Sequence, residues 1–261
     1  MLPNEHLSRQ IDIIPPASLT TPVTIIGAGA IGGWTALSLA KMGMTNLTVY
    51  DFDTVDIVNM NSQFYRFKDI NRPKAEALAD LIEDFTQIKI RAITGRYIGG
   101  QFDGIVISAV DSMAVRHLIW KEHQKALKTD LIIDPRMGAE SALLYAMQPN
   151  NLADRRTYPK TLYSDEDAVQ ARCTAKATIY TANLLAGLVV RTVKGFLIDR
   201  DYPRTVQWDI RHDIFMCYHG GSHATKSDIQ APAGGNHPVS YPDLPPENWN
   251  LLLDQQNAGN V

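Results

Sequence analysis

The tetrapeptide Val23-Thr24-Ile25-Ile26, followed at once by Gly27-Ala28-Gly29-Ala30-Ile31-Gly32, constrains this chain more than any other feature. Four apolar or β-branched residues make a short buried strand. The glycines turn the chain into an apolar stretch that reads as a helix through about Lys41, stopped by Gly43. In that strand–turn–helix context G-x-G-x-x-G is a phosphate cradle. Gly27 permits the tight turn, Gly29 lets a phosphate approach the backbone, and Gly32 lets the helix pack close to the strand. The helix N-terminus adds free N–H groups and a partial positive charge. Asp51 follows 19 residues after Gly32, at the end of a second strand over Leu47 to Tyr50, where a carboxylate can accept from ribose hydroxyls. This much specifies an adenine nucleotide and suits NAD as well as ATP.

The pattern continues as an alternation. A loop of about 20 residues rich in Asn and aromatics follows Asp51, and loops of that length carry function or are disordered. Pro73 opens a helix bearing Ala75, Leu78, Leu81 and Ile82. Strands are expected over Ile88–Ile93, Phe102–Val110, Leu131–Ile133 and Ser141–Met147, with a helix over Met113–Leu127. A helix from about Cys173 to Lys194 and one strand over Thr205–Phe215 complete the ordered part. The fold class is therefore α/β: a Rossmann-like, mainly parallel twisted sheet with helices on both faces. Residues 1–21 read as an N-terminal arm and 22–215 as the nucleotide-binding domain. An exposed crossover loop is expected at about 148–172, and 216–261 as an irregular tail.

Composition removes several classes. Hydrophobic residues make up 45% of the 261, enough to bury a sizeable core. A net charge of −3 argues against a nucleic-acid binder. The two cysteines, Cys173 and Cys217, are too few for a disulfide scaffold and form no Cys-x-x-Cys pair. Cys217, His219 and His223 match no zinc pattern, so no structural zinc is expected, and Cys217 reads as buried and inert. Glu5, Arg9 and Asp12 break up the N-terminus as a signal peptide. Lys176, Thr178, Asn183, Arg191 and Lys194 make the apolar stretch Ala175–Phe196 a buried or half-buried helix rather than a membrane span. A cytoplasmic protein without membrane contact is the expectation.

Further motifs distinguish ATP from NAD. They are Asp51-Phe52-Asp53-Thr54-Val55, Asn59-Met60-Asn61-Ser62-Gln63 and Pro73-Lys74. Upstream stands Leu7-Ser8-Arg9-Gln10-Ile11; downstream stand Asp111-Ser112-Met113-Ala114-Val115-Arg116, and Cys173 opening an apolar helix. This ordered set, over about residues 5–195, resembles the ThiF/MoeB/HesA adenylyltransferases, relatives of ubiquitin-activating enzymes. The resemblance implies that a carboxylate is joined to the α-phosphorus of ATP with loss of pyrophosphate. Such chemistry rests on positioning and cationic stabilisation. The resemblance further implies that Lys74 neutralises phosphate charge and that Asp111 holds Mg2+. Arg9 would reach a nucleotide phosphate across a dimer interface. Asp53, Asn59 and Gln63 would line the nucleotide site beside Asp51, and Arg116 would buttress the fold or the site. ATP and Mg2+ are the implied cofactors, and a homodimer the implied assembly. The implied partner is a small ubiquitin-like carrier protein or a peptide C-terminus. The alternatives are that Lys74 is a solvated first-turn lysine, Asp111 only a helix N-cap and Arg9 a surface charge.

Two departures shape the rival readings. Ser62 stands where the family has arginine, and serine cannot supply that permanent bidentate charge. Either Arg66 or Arg72 supplies it from a shifted position, or adenylation is weakened or lost. Asn71 also replaces a glycine. Cys173, at a helix N-terminus that favours thiolate, is either structural or an acyl acceptor. The alternatives are a non-catalytic member that only binds nucleotide or partner, and an NAD(P)-dependent oxidoreductase, for which no hydride-transfer dyad is evident.

Overall fold

A computed structural model describes residues 4–163, 177–199 and 201–219. Cys173, His223 and the segment 220–261 lie outside the described residues.

One eight-stranded sheet organises the chain. In chain order the elements are β1 (Val23–Ile26), α1 (Ala30–Met42), β2 (Leu47–Asp51), α2 (Lys74–Thr86), β3 (Arg91–Thr94), β4 (Gly104–Ser108) and α3 (Met113–His123). They continue as β5 (Thr129–Gly138), β6 (Ser141–Met147), α4 (Leu152–Thr157), α5 (Ile179–Lys194), β7 (Pro203–Asp209) and β8 (Ile214–His219). The spatial order is β3-β2-β1-β4-β5-β6-β7-β8. The first five of these strands pair in parallel and the last three antiparallel. This is the expected Rossmann-like architecture, with an antiparallel extension at one edge.

Burial explains the mixed character. The central strands β1 and β4 are buried along their whole length, as strands covered by helices on both faces must be. One core layer joins Ile25, Val49, Ile105 and Ile107 to Leu39, Leu78, Leu185 and Val189 of α1, α2 and α5. The opposite layer packs Val106 and Ile132 against Ile119 and Trp120 of α3 and against Tyr158. The helix from Ile179, continued by a π turn to Asp199, has the length and apolar character of a membrane span. Half of it is nevertheless buried, against α1, β5 and β6.

Several segments differ from the sequence expectation. The strand expected over Thr205–Phe215 is the hairpin β7–β8, and its turn passes through Asp213 at φ 58°. Strand β8 runs on to His219, four residues past the expected domain end. The alternation of Thr205 to Ile210 stops at the polar Arg211-His212-Asp213, but no glycine or proline marks the turn there. The expected crossover loop begins with structure of its own, namely α4 and a 3-10 turn over Tyr158–Thr161. That turn is anchored by charge: the buried Asp134 of β5 accepts from Tyr158 Oη at 2.8 Å and from Arg136 Nε at 2.9 Å. Arg136 in turn donates to Thr161 O at 2.7 Å.

Candidate nucleotide site

The strand order reverses between β1 and β4, and in doubly wound sheets ligands bind at the carboxyl ends of the strands flanking that switch. The glycine loop lies at this point. Gly27 adopts φ +102° and a Cβ there would overlap Ala109 O, so the loop passes directly against the end of β4. A Cβ on Gly32 would overlap Gly27 O. A Cβ on Gly29, by contrast, would meet nothing within 4 Å. The first two glycines are thus required by the fold, whereas Gly29 leaves backbone open to an approaching ligand. Gly29 is also the N-cap of α1, and among the described residues no side chain caps the amides there. Uncapped N–H groups at a positive helix end are a ready anion site.

Asp51 is buried and fully engaged. Oδ2 accepts from Ala28 N at 2.6 Å and Oδ1 from Asp53 N at 2.8 Å. Its carboxylate therefore clamps the glycine loop to the end of β2. Burial raises its pKa, against the lowering effect of the two amides and of the Lys74 cation. Lys74 is the first residue of α2, after the N-cap Pro73. Its side chain is only 8% exposed, so the solvated-lysine alternative fails. Nζ lies 3.1 Å from Asp53 Oδ2, on a side chain that is 48% exposed. A cation at a helix N-terminus opposes the macrodipole, and the two aspartates offset that cost.

Tyr65 is a member of the site that sequence reasoning passed over except as loop content. Its hydroxyl donates to Ala28 O at 2.7 Å and lies 3.3 Å from Lys74 O. It therefore ties the glycine loop to the start of α2. Burial, then the carboxylates of Asp51, Asp69 and Asp53, push its pKa far up and keep it a donor.

The long loop after β2 is ordered by its own carboxylates. Asn59 Oδ1 accepts from Asp56 N at 2.9 Å, so Asn59 closes a capping box. Buried Asp69 accepts from Arg66 Nε at 2.8 Å and from Arg72 Nη1 at 3.1 Å. Arg66 also pairs with Asp84, and Arg72 with Asp80. Both arginines considered as substitutes at the Ser62 position are thus committed to loop carboxylates. Ser62 itself is buried, and its carbonyl accepts from Trp34 Nε1 at 3.3 Å. Gln63 borders a cavity of about 400 Å3 with Trp34, Phe64, Leu81 and Phe85, and its Oε1 is buried without a hydrogen-bond partner.

Asp111 is exposed just beyond β4. Helix α3 is capped by Ser112, whose Oγ accepts from Val115 N at 3.4 Å, so Asp111 is not the cap. Arg116 is buried and shapes this turn, donating from Nη1 to Ser108 O at 3.2 Å and to Pro135 O at 3.3 Å, and from Nη2 to Val110 O. Burial, then the neighbouring Arg136, lowers its pKa to about 10. An exposed carboxylate two residues beyond Ala109, against which Gly27 packs, suits Mg2+, which is bound through one or two carboxylates plus substrate phosphates. Among the described residues no group of three or more His, Cys, Asp or Glu is arranged to hold a metal by itself.

Arg9 stands apart from these groups. Leu7 packs against Gly43, and Gln10 Nε2 donates to Met42 O at 2.6 Å, so the arm lies at the C-terminal foot of α1. The glycine loop is at the other end of that 13-residue helix, about 18 Å away at the helical rise. An arginine side chain does not span that distance within one copy of the chain.

Comparison with known proteins accounts for the arrangement. The ThiF family model matches residues 17–215. The chain belongs to the ThiF family. A ubiquitin-like modifier-activating enzyme 5 from Dictyostelium discoideum is 24% identical over 199 residues, 67% of this chain and 52% of that protein. A ubiquitin-activating enzyme E1-like protein from Saccharomyces cerevisiae is 30% identical over 110 residues, 38% of this chain and 17% of its own length. The chain thus spans at most about half of these relatives. Among solved structures, E. coli MccB with ATP superposes with a TM-score of 0.68 at 15% identity, covering 83% of this chain and 72% of that one. PaaA superposes with a TM-score of 0.66 at 18% identity, covering 83% and 82%. These superpositions show a shared fold.

Proposed function

We propose that this ThiF-family chain is an ATP- and Mg2+-dependent adenylyltransferase. It activates the C-terminal carboxylate of a peptide or small ubiquitin-like protein to an acyl-adenylate. The observation that carries the reading is the meeting of an uncapped, sterically open helix N-terminus at Gly29 with a buried, carboxylate-positioned Lys74 at the sheet's switch point. That pairing suits a polyphosphate. Asp51 accepts a backbone amide on each oxygen and so holds the glycine loop, a role common to the ATP and nicotinamide readings; Lys74 is what favours the polyphosphate.

In the reaction, an oxygen of the substrate carboxylate attacks the α-phosphorus of ATP, and the bond to the pyrophosphate oxygen breaks. The α1 amides and Lys74 Nζ face the charge that builds on the phosphate oxygens, preorganised before substrate arrives. Lys74 can exchange its exposed partner Asp53 for phosphate without moving its buried stem. Asp111 would hold Mg2+, which supplies charge neutralisation on the leaving pyrophosphate. Relatives solved with ATP and with the MccA peptide support a nucleotide and a peptide carboxylate as the substrate pair. A cytoplasmic homodimer completes the proposal.

The test is ATP–pyrophosphate exchange driven by candidate peptide or ubiquitin-like C-termini. Lys74→Ala and Asp111→Ala are expected to abolish exchange while leaving the far-ultraviolet circular dichroism spectrum unchanged. Undiminished exchange in both variants would remove these residues from the mechanism. Engagement of Arg66 and Arg72 by carboxylates supports one rival, a nucleotide-binding member with lost catalysis. ATP-dependent thermal stabilisation without exchange for any carboxylate would select that rival.

A further inference from the structure

The Cys217 thiol, expected to be buried and inert, is half-exposed and in contact with an imidazole. Among the described residues strand β8 is the sheet's edge, and residues two apart on a strand project to one face. Cys217 and His219 therefore point together, with Sγ 3.5 Å from His219 Nε2. On the other side of the ring, His219 Nδ1 lies 2.7 Å from Asp201 Oδ1. Register brings the parts together, since Pro203 pairs with His219 and Asp201 precedes Pro203 by two residues. A carboxylate on Nδ1 holds the proton there and leaves the Nε2 lone pair free to accept from the thiol. This is the nucleophile–base–orienter order of cysteine nucleophiles. Burial raises the thiol's pKa, Arg191 of α5 opposes that and Asp201 adds to it. The thiol thus remains protonated until a base takes its proton. His219 is 40% and Asp201 74% exposed, so a substrate can reach the group.

The group lies well away from the glycine loop. Cys217 pairs with Val206, Val206 with Leu144 and Leu144 with Pro135, and β8 is five strand spacings from β1, roughly 24 Å. Its chemistry needs no nucleotide.

We propose that Cys217, His219 and Asp201 form an acyl-accepting thiol site, separate from the nucleotide site, for acyl groups that arrive already activated as thioesters or esters. His219 Nε2 takes the thiol proton as Sγ attacks the acyl carbon. The C–S bond forms, the bond to the leaving oxygen or sulfur breaks, and the leaving group departs with the proton from His219. Asp201 holds the imidazolium.

The experiment uses the full chain with Cys173→Ala, so that Cys217 is its only cysteine, and p-nitrophenyl acetate as the probe. A burst of p-nitrophenolate with one acetyl group mapped to Cys217 is expected, and Cys217→Ser should lose that adduct. His219→Ala should slow acylation roughly 100-fold, the size of a general-base contribution, and erase the imidazole inflection from the pH–rate profile. Asp201→Asn should slow it less. Thermal unfolding of each variant confirms that the fold is intact. Acylation of Cys217 at equal rate and pH dependence with and without His219, or no acylation of a folded chain, would overturn the proposal. Lys74→Ala should leave the burst unchanged, so failure here and failure of the adenylation reading remain separable.

Discussion

At the scale of single residues, the three glycines of one motif do different work, and the difference is measurable. Gly32 faces Gly27 O so closely that a methyl group forces the helix off the strand. Gly32→Ala should cost about 3 kcal/mol or more, at the upper end of overpacking penalties, read from the urea midpoint. Gly29 has φ −76° and open space where a Cβ would stand. Gly29→Ala should therefore leave the midpoint nearly unchanged and remove the thermal shift produced by ATP. If both variants unfolded alike, Gly29 would be a structural residue and the open cradle would lose its meaning. The roles of these glycines were legible in the sequence because spacing alone dictates backbone geometry. The employment of Asp51 was not. A carboxylate at the end of β2 reads as a ribose acceptor, and only the fold shows both oxygens taken by Ala28 and Asp53 amides.

Among the elements, the loop after β2 shows how charge replaces regular structure. Asp69, with no exposed side-chain surface, is bridged by Arg66 and Arg72, which themselves reach Asp84 and Asp80 on α2. Burial alone would raise its pKa, but hydrogen bonds from Arg66 and Arg72 outweigh it and hold the carboxyl below 3.8. A depressed folded-state pKa contributes stability that is fully present above the unfolded value and is lost as pH falls through the folded one. The wild-type loop should thus loosen below about pH 4, whereas Asp69→Asn should be destabilised at neutral pH and show a flatter acid limb. Hydrogen exchange of the loop amides across that range would decide. Ser112 makes a smaller prediction: as N-cap of α3 it should lose about 1 kcal/mol on substitution by Ala, measured by chemical denaturation. At this scale the parallel strands and α1 to α3 were readable, because their apolar residues recur at the strand or helix period, with Gly29 and Gly43 bounding α1, Pro73 opening α2 and Ser112 capping α3. The β7–β8 turn was not, since Ile210 to Asp213 carry no glycine or proline and Asp213 takes a positive φ unaided. The Tyr158 anchor was equally hidden, because the buried Asp134 accepts from a hydroxyl 24 residues away and leaves no local pattern.

The whole molecule raises the question of how Arg9 can serve a site it does not adjoin. The arm is fixed to the foot of α1 by Leu7 and Gln10, while the glycine loop is at the other end of the helix. The separation, about 18 Å, exceeds the side chain's reach. If Arg9 contacts a phosphate, it does so in a second copy of the chain. Two inactive variants can test this together. Arg9→Ala keeps its own Lys74, and Lys74→Ala keeps its own Arg9. Mixed and allowed to exchange subunits, they form heterodimers in which one site has Lys74 from one copy and Arg9 from the other. Pyrophosphate exchange should then reappear in the mixture although each variant alone lacks it, and a doubly substituted chain mixed with wild type should show no such gain. If the mixture stayed inactive while analytical ultracentrifugation showed heterodimers, Arg9 would be serving no site in trans. Full activity of Arg9→Ala alone would reduce it to a surface charge. A titration of one variant into the other gives the stoichiometry, because recovered activity should peak at equal amounts of the two chains, where heterodimers are most abundant.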